Sequence, residues 1–500
     1  MDVLSNILFG FHLILRMENL LMAFIGCLIG TLVGVLPGLG PPAAIALLLP
    51  VTFHLSPIGA IILLAGIYYG AMYGGSTTSI LVNIPGESSS VMTCLDGYQM
   101  ARRGRAGPAL AVCAIGSFIA GTLSIVGLMF LAPLLAKVAI AFGPPEYAAI
   151  MTAALIILVY LASSSIPKAL IMAAFGLFIS TMGLDTVSGE IRFVGQIVEL
   201  WDGVGLVPTI MGLFGISEVL INIEKIAGQQ IDIFTDKVLN LFPTKSDWQK
   251  FIPASLRGAV IGFFLGILPG GGAALSSFVS YAIEKKISKH PEKFGSGMIE
   301  GVACPESANN AATGGAFIPL LTLGIPSNVV MALLLGALMI HGINPGPLIM
   351  SEHPDVFWGL IASMYVGNIM LLFLNLPLVG LWVQLLRVPY RILFPLILLF
   401  CLIGVYSVNN SITDIFVMVI FGVIGYVARK TQYEAAPLIL AMVIGRIFEN
   451  SLRKSLMMSD GSLLIFFTRP IACSFALLSF ILLLSLIFFE MKSFRGDIRT

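Results

Sequence analysis

Ile29-Gly30-Thr31-Leu32-Val33-Gly34-Val35-Leu36-Pro37-Gly38-Leu39-Gly40 and Ile261-Gly262-Phe263-Phe264-Leu265-Gly266-Ile267-Leu268-Pro269-Gly270-Gly271-Gly272 are two copies of one pattern set 232 residues apart, from Pro37 to Pro269. The Ile, both helix glycines, Leu-Pro-Gly and the last Gly coincide at that offset. So many identities within a dozen apolar positions point to duplication rather than to composition. Proline donates no backbone N–H and glycine admits conformations that other residues avoid, so each copy predicts an apolar helix that breaks inside the bilayer. A duplicated, Gly/Pro-interrupted membrane segment is the sequence pointer to the substrate site of a secondary transporter.

The rest of the chain is the setting such breaks need. Of 500 residues, 58% are hydrophobic and 11% charged, and mean hydropathy is +0.99. These values exclude a soluble protein and predict an all-α polytopic membrane protein. Apolar stretches at 20–36, 58–73, 108–142, 146–162, 166–183, 203–222, 255–268, 328–341, 356–386, 390–407, 411–427 and 470–490 predict roughly ten to fourteen membrane segments, broken ones included. A net charge of +1 gives no reason to invoke nucleic acid, and the lipid bilayer is the partner that composition dictates. The six cysteines are scattered without CxxC spacing and read as small apolar packers. The histidines have no metal-ligand spacing, so no metal site is expected. With His12, Arg16 and Glu18 and no A-x-A site, the N-terminus reads as an amphipathic lead-in helix rather than a cleavable signal. Nucleophile-elbow, P-loop and H-E-x-x-H motifs are missing, which argues against an enzyme and against ATP hydrolysis. An ion gradient is the natural energy source.

Glu224 to Asp247 is the least hydrophobic interior stretch and divides the chain nearly in half. The expected organisation is a first membrane repeat at 1–223, an extramembrane connector at 224–250, the core of a second repeat at 251–386 and a C-terminal helical bundle at 387–500. Basic residues orient the halves, since Lys and Arg prefer short cytoplasmic loops. In the first half the loop Thr52 to Pro57 has none, and the later loop holds Arg102, Arg103 and Arg105. The second half reverses this: Lys285, Lys286, Lys289 and Lys293 come early, and His341 to Asp355 has none. The expectation is two repeats of inverted topology.

Beside each Leu-Pro-Gly lies a polar, small-residue segment. The first runs from Tyr73 to Ser79 and on to Asn83-Ile84-Pro85-Gly86-Glu87. The second runs from Cys304 to Gly315 and on to Gly324-Ile325-Pro326-Ser327-Asn328. Irregular backbone at membrane depth survives only when protein or a watery cavity covers it, so both segments predict cavity walls built from broken or re-entrant helices. The tip of a broken helix offers free N–H groups and a positive dipole end, which suits a carboxylate. Candidate substrate contacts are Gly74, Gly75, Ser76, Thr77, Thr78, Asn83, Asn309, Asn310, Thr313, Gly314, Gly315 and Ser327, the glycines for close approach and the others for hydrogen bonds. Carbonyls at the opposite helix ends suit a coupled cation, with Gly38, Gly40, Pro85, Gly270, Gly272, Glu306 and Pro326 as candidates. Ion binding, proton coupling and helix capping stay open for Glu306. Asp96 reads as a loop cap or salt-bridge partner, and Glu146, after Pro144-Pro145, as a helix cap. A lone Gly or Ser in these helices reads as close packing, whereas the run Gly74 to Ser79 and the pair Asn309-Asn310 read as ligand or ion contacts.

The runs Gly34-Val35-Leu36-Pro37-Gly38-Leu39-Gly40, Tyr68-Tyr69-Gly70-Ala71-Met72-Tyr73-Gly74-Gly75-Ser76, Asn83-Ile84-Pro85-Gly86-Glu87 and Asp96-Gly97-Tyr98 resemble the large membrane subunit of the tripartite tricarboxylate transporters, the TctA family. Pro305-Glu306-Ser307-Ala308-Asn309-Asn310-Ala311, Pro319 to Pro326 and His341-Gly342-Ile343-Asn344-Pro345-Gly346-Pro347 agree, so the resemblance covers about residues 15–450. It implies cation-coupled uptake of tricarboxylates or dicarboxylates across the bacterial cytoplasmic membrane, with a small TctB-like membrane subunit and a TctC-like periplasmic binding protein. One departure is Ser327, where the family usually has Gly after the Pro. The alternative reading is a gated channel or passive facilitator for small organic anions.

Overall fold

In hydrocarbon, backbone N–H and C=O groups must bond within the protein, and this chain meets the demand with helices almost throughout. A computed structural model of the protein describes residues 3–36, 40–162, 165–185, 187–226, 241–385 and 390–497. Among the described residues the only strands are the short pair Gly183–Leu184 and Ile191–Arg192. Among the described residues seven helices are long and apolar enough to cross a bilayer, and seven shorter apolar helices accompany them. The stretch 108–142 is one helix of 34 residues, Ala106–Ala139. Two long helices, of 24 and 23 residues, lie outside the predicted apolar stretches because polar residues interrupt them: Glu300–Leu323, and Ala436–Met458 with Arg446, Glu449, Arg453 and Lys454. The C-terminal helices do not stand apart. Ala436–Met458 packs on Pro144–Tyr160 and Ile166–Ser180, and Ile412–Lys430 packs on the stretch 206–226. Of the expected connector, 227–240 lies outside the described residues, and the helix Lys245–Ile267 starts before the expected boundary at 251.

The centre is built from α1 (Met17–Val35), α2 (Pro57–Val82), α3 (Val91–Arg102), α4 (Ala106–Ala139), α5 (Lys245–Ile267), α6 (Gly272–Ile287), α7 (Glu300–Leu323), α8 (Val329–Ile340) and α9 (Pro354–Asn375). Gly26, Gly30 and Gly34 recur every fourth residue and leave one face of α1 bare. That face lies so close to α2 that a Cβ on Gly30 would stand 2.5 Å from the Ile67 carbonyl oxygen, and Gly26 and Gly34 meet the carbonyls of Leu63 and Ala71 alike. α5 repeats the device, with Gly258, Gly262 and Gly266 against the carbonyls of Cys304, Ala308 and Ala312 on α7. Close packing of small residues drives helix association where lipid removes the hydrophobic force. Gly30→Val and Gly262→Val are each expected to cost ~1–3 kcal/mol by overpacking. Thermal unfolding in detergent checks this against Gly346→Ala, which has open space around it. Wild-type stability in Gly262→Val contradicts the contact.

α2 and α7 end alike. Asn83 (φ 57°, ψ 29°) and Gly324 (φ 68°, ψ 22°) take the left-handed conformation that closes a helix. Ile-Pro follows in both, then Gly86 or Ser327, then Glu87 or Asn328, whose side chains accept the backbone N–H of Ser89 and Met331 to open the next helical stretch. The backbone therefore breaks at 83–87 and 324–328. Gly74–Ser79 and Asn309–Gly315, expected in broken backbone, lie inside uninterrupted helix instead. Neighbouring helices cover them, and giving up intrahelical hydrogen bonds at membrane depth costs more than glycine's freedom returns. In the second copy the Leu-Pro-Gly break is present: Leu268 is extended, and Gly270 and Gly272 take φ 79° and 50°. Its counterpart Pro37-Gly38-Leu39 lies outside the described residues. Gly40 caps the helix Pro41–Leu48.

The loops of the two copies meet pairwise. Gly297 lies beside Met100 and Arg103, and Arg105 pairs with Asp247 at 2.7 Å. His341, after α8, faces the backbone of Thr52, just before α2. Arg257 on α5 forks onto Glu284 on α6 at 2.8 and 2.5 Å, bracing the second copy across its Leu-Pro-Gly turn.

Candidate functional site

Where α2 meets α7, polar residues from both copies face one another. Glu306 is fully buried on α7. Its carboxylate accepts the Ser76 hydroxyl from α2 at 2.6 Å, the Thr93 hydroxyl from α3 and Asn309 Nδ2 at 3.2 Å. Asn310 Nδ2 donates to Asn309 Oδ1 at 2.6 Å and to Ser117 Oγ on α4 at 2.7 Å, and the Thr313 hydroxyl donates to the Asn310 carbonyl. One layer away the Tyr73 hydroxyl donates to Asn368 Oδ1 at 2.5 Å, while Asn368 Nδ2 donates to the Phe118 carbonyl and Thr122 Oγ1. Between these helices lies a cavity of about 20 Å³, lined by Tyr69, Gly121, Ser124, Ile125, Asn310, Thr313, Met364 and Asn368. It admits a water-sized group and nothing much larger. Its polar lining is uncharged, a set of hydroxyl and amide groups able to donate to an anion.

The sequence-predicted residues divide into three sets. Ser76, Asn309 and Glu306 form the carboxylate cluster, and Asn310 and Thr313 reach the cavity. A second set is taken up by packing. A Cβ on Gly74 would meet the Thr31 carbonyl, on Gly75 the Glu87 side chain, on Gly314 the Ser124 side chain and on Gly315 the Phe263 carbonyl. Thr77 is buried, and Thr78 gives its hydroxyl to the Val35 carbonyl at 2.7 Å. A third set belongs to the breaks. Asn83 is exposed, with Pro85 beside it; the Gly270 N–H donates to the Ser327 carbonyl at 2.8 Å, and Gly272 and Pro326 adjoin that contact. The buried Ser327 hydroxyl has no hydrogen-bond partner among the described residues. Gly38 lies outside the described residues. Asp96 caps a loop, that of residues 295–298, and Glu146 caps its helix through the Gly143 N–H while pairing with Arg469 at 2.6 Å.

Sequence reasoning missed Tyr69, Thr93, Ser117, Gly121, Ser124 and Asn368, which complete the cluster and cavity. A signal existed: Asn368 and Ser117 are polar residues isolated within long apolar helices, where such residues face the protein interior.

The tripartite tricarboxylate transporter TctA family matches residues 20–440. A protein of Agrobacterium vitis described as an uncharacterized 52.8 kDa protein in the TAR-I ttuC' 3' region is 48% identical over 474 residues, 95% of this chain and 94% of that protein. Another from Agrobacterium vitis, described by its place in the TAR-II ttuC' 3' region, is 53% identical over 213 residues, 43% of this chain and 88% of that protein. No solved structure is significantly similar. With its apolar helices, duplicated breaks and a family match along most of its length, the chain is a multi-pass membrane protein that belongs to the tripartite tricarboxylate transporter TctA family.

Proposed function

We propose that the chain is the large permease subunit of a three-part secondary transporter that takes up tricarboxylates or dicarboxylates, citrate among them, across the bacterial cytoplasmic (inner) membrane. It works as a symporter with Na⁺ or H⁺, beside a small TctB-like membrane subunit, and receives substrate from a TctC-like periplasmic binding protein. The observation that carries this reading is the cavity at the junction of the two copies, whose neutral donors suit a carboxylate and which is linked through Asn310 and Asn309 to a buried acid suited to a cation. An inverted relation between the copies is supported by their loops. The Thr52 and His341 loops adjoin one another, and the Arg103 and Gly297 loops do likewise, so each pair joins non-corresponding points of the two copies, as inversion requires.

The test is uptake of labelled citrate and a panel of dicarboxylates into proteoliposomes holding this chain with its two partners, with an inward Na⁺ or pH gradient and without one. Accumulation above equilibrium is expected only with a gradient. Purely downhill uptake favours the facilitator, and no uptake of any carboxylate removes the substrate class.

A further inference from the structure

We propose that Glu306 is the proton carrier of the transport cycle, taking up and releasing one proton at the seam between α2 and α7, and that Asn309-Asn310 links this proton to substrate in the cavity. The inference rests on the carboxylate-transport reading above and names its coupling ion and coupling residue.

The surroundings of Glu306 are those of a proton site. Its side chain is fully buried between helices, and its hydrogen-bond partners Ser76, Thr93 and Asn309 are all neutral. The titratable groups that face it are Glu87 beyond the first break, Cys94 on α3 and Cys113 on α4, none of them a cation. Among the described residues no Lys, Arg or His pairs with it. An isolated carboxylate in such a place is costly, and protonation removes the cost. Ser76 and Thr93 suit both states, because a hydroxyl donates to a carboxylate and accepts from a carboxylic acid. When a proton from the aqueous phase forms an O–H bond on a Glu306 oxygen, a hydroxyl reverses its role and the heavy atoms stay where they are. Release to water on the other side breaks the same O–H bond and restores the carboxylate.

Ser76 Oγ stands 2.6 Å from Glu306 Oε2, the span of a hydrogen bond, so in this conformation a proton lies between the two oxygens. The link to substrate is a chain of side-chain bonds: Asn310 lines the cavity and donates to Asn309 Oδ1 at 2.6 Å, and Asn309 Nδ2 donates to Glu306 Oε2 at 3.2 Å. A substrate carboxylate that draws the Asn310 amide toward itself takes a donor from Asn309 and so alters the bond that favours the charged form of Glu306.

Two measurements test this. In proteoliposomes with both partners, Glu306→Gln is expected to lose at least about 10-fold in accumulation driven by a pH gradient, while substrate exchange, which needs no net proton movement, falls far less. In purified wild-type protein without substrate, pH-difference infrared spectroscopy is expected to show a protonated-carboxyl band that Glu306→Gln lacks. Accumulation in Glu306→Gln equal to wild type, accumulation driven by Na⁺ and indifferent to pH, or an infrared band that persists in the variant each overturns the proposal. Failure of the wild type to exchange any carboxylate while the Glu306 band is present overturns the substrate reading and the transport role assigned to Glu306, but not its protonation.

Discussion

Asp96→Ala is expected to lower stability by ~3–5 kcal/mol, because it removes the shared acceptor of three backbone N–H groups and a buried hydroxyl. Asp96 is fully buried on α3, and its carboxylate accepts the N–H groups of Gly295, Gly297 and Met298 at 3.0, 2.7 and 2.7 Å and the Tyr281 hydroxyl at 2.9 Å. Gly295 and Gly297 take φ 86° and 99°, which only glycine adopts without strain and which turns neighbouring N–H groups onto one anion. The carboxylate thus ties the first copy to the loop that leads into α7. Asp96→Asn keeps one acceptor oxygen but points an amide at donors, so it falls between wild type and alanine. Tyr281→Phe removes a single neutral donor and is expected to cost ~1 kcal/mol. Thermal unfolding in detergent ranks the three, and a midpoint for Asp96→Ala equal to wild type means that the tie does not hold the copies together.

Asn310→Ala is expected to reduce gradient-driven carboxylate uptake by about 100-fold while costing ~1–3 kcal/mol of stability, the penalty for leaving buried partners without a donor. Its amide both lines the cavity and bonds Asn309 and Ser117, so alanine removes a candidate substrate contact and the link to Glu306 in one step. Thr322→Ala is the comparison. Thr322 is buried on the same helix, but its hydroxyl bonds only the Ile318 carbonyl of its own turn, and uptake is expected within about 3-fold of wild type. The two variants separate transport from folding, since both are measured for uptake and for unfolding temperature. Uptake by Asn310→Ala equal to that of Thr322→Ala moves the site away from the cavity.

The membrane class and the duplicated break were legible because proline, glycine and hydropathy act locally. Leu268-Pro269-Gly270 breaks where its residues say it must, and so do Asn83-Ile84-Pro85 and Gly324-Ile325-Pro326, since each carries its own stop signal. The run Gly74 to Ser79 was misplaced because glycine serves two opposite purposes. It loosens a backbone in a loop, but along a helix face it lets another backbone approach, and the four-residue spacing of Gly66, Gly70 and Gly74 was the clue to the second use. Glu306, Asn309 and Asn310 stood out as polar residues in apolar surroundings. Their partners did not, because Ser76, Thr93 and Ser117 lie 193–230 residues away in the chain and are brought there only by packing.

The two glycine-striped helix pairs also constrain how the protein can move. Along the glycine stripes between α1 and α2, and between α5 and α7, backbone rests on backbone, so at those contacts no intervening side chain can change rotamer to let one helix slide past the other. Each pair behaves mechanically as a single beam. Displacement of one copy against the other then has to be taken up where beams meet through side chains alone, and the bonds from Ser76 and Thr93 to Glu306 cross that joint. The charge of one carboxyl group thereby sets how firmly the two beams are fastened.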